Sequence, residues 1–245
     1  MFPLIRGWTD VQRSPEANLR LGLVLCFVAG ATNAGGFLAV GRYTSHMTGI
    51  VSSVADDLVL GKVGLALAGI TCLMAFLLGA MCTAIMVNWA LRQHLRSSYS
   101  LPLMLESFAL LVFGLFGAAI TAHSPIFMPI TVVLLCFIMG LQNAVITKIS
   151  KAEIRTTHIT GLVTDIGIEL GKMVYVNRLR GHSPVLFNRN RLWVQSLLVA
   201  GFMAGGLVGA WGFQHLGYVT TVPLAGMLLL LGLRPLLDDW CQRAT

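Results

Sequence analysis

Six stretches of this chain, at about residues 21–41, 63–88, 102–122, 127–147, 192–213 and 216–233, are apolar over nearly the length a helix needs to cross a bilayer. A span takes about 20 residues because the hydrocarbon core is about 30 Å thick and a helix rises 1.5 Å per residue. Spans of that length take up roughly half of a 245-residue chain and leave no room for a large soluble domain. Composition agrees: 56% of the residues are hydrophobic, 11% are charged and the mean hydropathy is +0.78, where soluble domains carry about 25% charged residues. The sequence predicts an all-α membrane protein of six transmembrane helices, with the lipid bilayer as its first partner.

The net charge of +7 does not point to nucleic acid, because the basic residues form no dense block with interleaved aromatics. They alternate by side. Every lysine and arginine except Arg42 and Lys62 falls in the N-terminal segment, the second and fourth loops or the tail. By the positive-inside rule these are cytoplasmic. The expected layout is a cytoplasmic segment at 1–20, three spans over 21–122, three over 127–233 and a cytoplasmic tail over 234–245, in a bacterial inner (plasma) membrane. The polar opening residues, with Arg6, Asp10, Arg13, Glu16 and Arg20, do not suit a cleaved signal peptide. The cysteines show no CxxC or zinc spacing and read as free thiols.

The two halves repeat. Leu25 to Ala34 (LCFVAGATNA) matches Leu135 to Ala144 (LCFIMGLQNA), and Thr44 to Gly49 (TSHMTG) matches Thr156 to Gly161 (TTHITG). Continuing without a gap pairs Ser52 with Thr164, Asp57 with Glu169 and Leu58 with Leu170. Three spans per unit is an odd number, so the second unit enters the membrane from the opposite side and the repeats are inverted. That plan recurs in secondary transporters, whose broken helices hold substrate near the midplane.

After the first span of each repeat comes a Thr-x-His-x-Thr-Gly turn and a short amphipathic helix, at about 48–60 and 160–172, too short to span. Thr48 and Thr160 are the expected caps, and Gly49 and Gly161 let the backbone turn. If these helices dip into the membrane with their N-termini facing, their dipoles favour an anion between them. His46 and His158 are the leading candidates for ligand binding or proton handling, with Thr48, Gly49, Thr160 and Gly161 in the same candidate set; the alternative is that each ring bonds a backbone carbonyl and locks the turn. Asp57 and Glu169 are candidate coupling acids if buried, and merely solvated ones if interfacial. Asn33 and Asn143 need partners in lipid and are expected to tie helix to helix or helix to motif turn, with substrate contact as the other reading. Glu106 is expected to reach water at the cytoplasmic face, and Gly201, Gly205 and Gly209 to form a packing ridge.

Signatures of enzymes are missing: there is no GxSxG, P-loop, HExxH or GxGxxG followed by its acid. The expectation is a non-enzyme with no catalytic residue, no cofactor and no metal, transporting a small molecule or ion by alternating access. A homo-oligomer is compatible with this plan. The rivals are a membrane scaffold that binds a partner, and an intramembrane enzyme with a metal between His46, His158, Asp57 and Glu169.

The motif of residues 44–49, the GLQNA of residues 140–144 and the RTTHITG of residues 155–161 together resemble the YoaK-like family of bacterial integral membrane proteins, a domain of unknown function. The resemblance runs over roughly residues 20–235 and implies a multi-pass inner-membrane protein of a kind described as permeases. It supplies no substrate. Two positions depart from the family pattern: Ile50 stands where Asn is frequent, removing a polar group, and His158 where an aromatic such as Tyr is frequent, making the two halves more alike.

Overall fold

The computed structural model describes residues 15–41, 43–93, 95, 97–120, 124–149, 157–177 and 183–243. Among them all regular structure is helical, and each of the six apolar runs falls on one long helix. These are α1 (Pro15–Val40), α3 (Val63–Arg92), α4 (Ser100–Ile120), α5 (Ser124–Ile149), α7 (Arg189–Leu216) and α8 (Thr221–Arg243), the last two joined by one 3-10 turn at Gly217–Thr220. Two shorter helices, α2 (Met47–Val59) and α6 (Ile159–Val174), carry the repeated motif. By length and apolarity, four stretches of described residues suffice to cross a membrane: Glu16–Ala39, Val63–Arg92, Ile130–Ile149 and Arg189–Leu237, the last holding both α7 and α8. Residues 1–14 of the expected cytoplasmic segment, Arg155, Thr156, Arg178 and Arg180 lie outside the described residues.

A bilayer is written on the surface of α3. Leu67, Ile70, Met74, Leu78, Met81, Ile85 and Trp89 all stand exposed at helical spacing, an apolar stripe about 33 Å long. That is the thickness of a hydrocarbon core, and water does not tolerate such a stripe on a soluble monomer.

The interior is built around α1 and α5, whose burial patterns coincide almost residue for residue along the matched segments. Each crosses one parallel partner, α1 on α7 and α5 on α3, and the two crossings use the same device. Gly30 lies on the carbonyl of Phe202 while Gly205 lies on the carbonyl of Phe27; Gly140 lies on the carbonyl of Phe76 while Gly79 lies on the carbonyl of Phe137. All four helices carry Phe-x-x-Gly at the contact. A Cβ at any of these glycines would overlap backbone, so only glycine lets the axes approach this closely. Gly209 sits against Ala31 in the same way, and the expected ridge on α7 is a packing face. Between the other pair, Thr83 donates to the Leu141 carbonyl at 3.0 Å. Along α8, Ser107 of α4 donates to the Ala225 carbonyl at 2.7 Å.

Tracing the helix directions gathers Arg20, Arg92, Lys148, Lys172, Arg189 and Arg191 at one end of the bundle, where Lys148 donates to Asn88 across two helix ends at 2.8 Å. Lys62 marks the opposite end.

Glu106 departs from expectation. It is 0% exposed, and neither carboxyl oxygen has a hydrogen-bond partner among the described residues. It sits in the second turn of α4, on the stripe of Leu103, Leu110 and Phe113 that faces the core. Proximity to a membrane face along the sequence did not translate into access to water, because the helix turns that position inward. Cys26, Cys72 and Cys136 are buried and form no disulfide among the described residues, as the spacing implied.

Candidate functional site

Each motif folds back on the helix it follows. Gly41, at φ +70°, ends α1 in the left-handed region that glycine adopts without a Cβ penalty, and the chain reverses. Ser45 then reaches Asn33, donating to its Oδ1 at 2.8 Å. Asn33 lies two turns before the end of α1, so the motif has returned about 10 Å along it. In the second half Thr157 donates to Asn143 Oδ1 at 2.6 Å, while the Asn143 amide donates to the Met139 carbonyl at 2.8 Å. The two asparagines therefore join helix to motif turn, one of the roles the sequence allowed.

The helices that start from these turns run back outward. Along α2, Ile50 packs into the cluster of Cys72, Ala75 and Cys136, and Val54 packs on Gly69. Gly61, also at φ +70°, then turns the chain into α3. The first turn of α2 is thus level with a point roughly 14 Å inside α3, about a third of the way along that helix. In α6 the same antiparallel path is held by polar contacts with the start of α7. Asp165 accepts from Arg191 at 3.1 Å and from Gln195 at 2.8 Å. Glu169, 1% exposed, accepts from the Asn188 backbone N–H at 2.7 Å and from Lys172 at 2.9 Å. The Asn188 N–H and then the Lys172 ammonium hold its carboxyl below the usual carboxylate range.

The caps are the histidines, not Thr48 and Thr160. His46 and His158 occupy the N-cap positions of α2 and α6 without a side-chain capping bond, and among the described residues neither ring bonds a backbone carbonyl. Instead each ring lies over the glycine three residues on: a Cβ at Gly49 would overlap the His46 ring, and one at Gly161 would come 2.7 Å from His158 Nδ1. The motif spacing follows, since only glycine leaves room for the ring on the first turn. Both histidines, Thr48 and Thr160 are exposed.

Beside the first motif is a cavity of about 520 Å³ between α1, α2, α3 and α5, within the usual range for small-molecule pockets. His46, Gly49 and Asp57 line it, together with Tyr43, Thr44, Ser53 and Asp56. None of the second motif's residues does. The two short helices pack on different neighbours, α2 on α3 and α6 on α7, so His46 and His158 do not share this pocket. The two-histidine, two-carboxylate centre is not assembled: Glu169 is committed to Lys172 and Asn188, and no group of three or more His, Cys, Asp or Glu side chains comes together among the described residues. Tyr43 and Phe37 lie outside the matched motif and carry no signal in the sequence, and Thr44, though matched to Thr156, is not among the expected site residues. Tyr43 stacks on Phe37 with ring centroids 4.4 Å apart, and no repeat marks that pair.

Long apolar helices with exposed lipid-length stripes, and broken segments folded between them, define a multi-pass helical membrane protein. Residues 21–233 match the family described as Protein of unknown function (DUF1275), and the chain belongs to that family. It is 29% identical over 149 residues to the UPF0700 transmembrane protein YoaK of Bacillus subtilis (strain 168), a match covering 58% of this chain and 63% of that relative. The chain thus matches less than two thirds of the relative's length. No solved structure matches.

Proposed function

We propose that this protein is a six-span inner-membrane transporter of a small molecule or ion. In this reading it is built from two inverted three-span repeats that rock against each other, has both termini in the cytoplasm, and performs no enzymatic chemistry. The observation that carries the reading is the motif turn of α2, drawn back into the bundle beside a 520 Å³ cavity whose lining mixes apolar and polar side chains. Irregular backbone and exposed polar groups at membrane depth persist only against protein or in a wet cavity, and such cavities are where transporters hold their cargo. The paired Phe-x-x-Gly crossings support the inverted repeat, since exchanging α1 with α5 and α3 with α7 maps one crossing onto the other. The basic end of the bundle supports cytoplasmic termini. The cavity lies at the opposite end, open away from the cytoplasm.

A thermal-shift screen of detergent-purified protein against ions, amino acids, organic acids, sugars, nucleobases and amines tests this reading, followed by flux of any hit in proteoliposomes. A ligand at about 100 times its Kd adds about 2.7 kcal/mol to the folded state. The expected result is a hit that is weakened by His46→Ala in a protein that stays folded, and that crosses the membrane. The scaffold reading has one observation in its favour, the Asn33–Ser45 and Asn143–Thr157 ties, which make the motifs structural knots. A blank screen, with misfolding of the His46→Ala, His158→Ala variant, would favour it.

A further inference from the structure

The two motif helices are built alike but neutralised differently. Pairing α6 with α2 sets Lys172 against Leu60, and pairing the starts of α7 and α3, in the register of their Phe-x-x-Gly contacts, sets Arg191 against Leu65 and Gln195 against Gly69. In the second half those three side chains ion-pair or hydrogen-bond with Glu169 and Asp165. In the first half their places are apolar or empty. One of the two acids remains: Asp57 stands where Glu169 does, whereas Ser53 stands where Asp165 does. Asp56, which precedes Asp57, is an additional acid, and neither Asp56 nor Asp57 has an ion-pair partner among the described residues. Leu65 and Gly69 line the cavity where the second half has Arg191 and Gln195.

We propose that this cavity binds a small organic cation, whose ammonium lies against Asp56 and Asp57 as the Lys172 amine lies against Glu169. The chemistry of the walls agrees. No lysine or arginine is among the lining residues, and Arg42 lies outside the described ones. Both acids are in the last turns of α2, where the helix C-terminus adds negative potential. Thr44 lines the cavity, is 1% exposed, and its hydroxyl has no partner among the described residues, where buried polar groups are normally hydrogen-bonded. The stacked Phe37–Tyr43 pair offers a π face to a cation. A volume of 520 Å³ far exceeds the need of a bare ion, and with no cluster of metal ligands an organic ammonium is favoured over a metal.

The inference rests on reading the cavity as the ligand site, and it is tested without knowing the ligand. In the full chain carrying Ser53→Cys, in detergent, labelling rates are compared for a cationic and an anionic thiol reagent, the trimethylammonium-ethyl and sulfonato-ethyl methanethiosulfonates. Rates are normalised to a free thiol, with wild-type protein as the blank for native cysteines. The cationic reagent is expected to react about tenfold faster or more. Asp56→Asn with Asp57→Asn should remove that preference. Leu60→Lys should remove it too, in a protein that keeps its fold, because it installs the pair around which α6 already folds. Equal rates, a preference for the anion, no labelling by either reagent, or an unchanged preference in folded Leu60→Lys overturns the proposal. No gradient is present, so the assay reads the site whether or not transport occurs. Cation preference without flux of any cation in proteoliposomes leaves the site and removes transport, and flux of an anion with equal labelling does the reverse.

Discussion

At the scale of single residues, glycine positions divide by what a methyl group would meet. At Gly30 it meets the Phe202 carbonyl, fixed in a helix, so Gly30→Ala must push α1 and α7 apart. The expected cost is about 1–3 kcal/mol, read as a lower thermal midpoint in detergent. At Gly49 it meets only the exposed His46 ring, which can swing away. Gly49→Ala should cost clearly less stability while displacing the ring from the cavity wall; equal losses in the two variants would contradict this division. Glu106 poses the opposite problem, a carboxyl in a packed interior with no partner among the described residues. Burying an unpaired charge is costly, so Glu106→Gln, which keeps the shape and removes the ionisable group, should leave the midpoint unchanged or raise it. A marked fall would reveal a partner for the acid. Nothing local in the sequence distinguished Glu106 from an interfacial acid, because its position on the α4 stripe matters only once α4 is docked.

Among the elements, α2 and α6 show how much of the site was legible. Both were placed within one or two residues from motif and length, and the asparagine ties followed from the need of a buried amide for partners. Their depth was not legible, since it depends on Gly41 reversing the chain and on what lies alongside. The acids' environments differ for the same reason: Glu169 meets Lys172 and the start of α7, while Asp57 meets a cavity. Glu169 carries a pH prediction. Its native carboxyl is held below its unfolded value, near 4.3, so its contribution to docking α6 on α7 is fully present above that pH. The contribution is lost as pH falls through the lowered native value. The hydrogen-exchange protection of α6 should therefore hold from neutral pH to about 5 and decline below about 4.3. In Glu169→Gln, protection should be lower at neutral pH and lack that decline; a variant protected as the wild type would show that the ion pair adds nothing.

For the whole molecule, the decisive quantity is orientation. Basic residues collect at one end of the bundle, and in the proposed topology that end faces the cytoplasm by the positive-inside rule. Reporters active on only one side of the membrane, fused to either terminus, are expected to report cytoplasm in both cases. One external terminus would mean an odd number of spans and end the inverted-repeat reading. The repeat itself was visible in α1 and α5, where ten-residue segments match. It was nearly invisible in α3 and α7, whose likeness is reduced to Phe-x-x-Gly, the residues on which the helices touch.

The sequence by itself determined that this chain is helical, lies in a membrane, and carries the same motif twice, because apolar length, helical period and residue identity are local properties readable along one dimension. Only the tertiary structure decided that the motifs turn inward, that Glu106 is sealed from water, and that one half closes its acids with its own cations while the other leaves a cavity. Those outcomes depend on which side chains distant segments bring to the same place, and that is settled when helices dock through contacts between residues far apart in the chain.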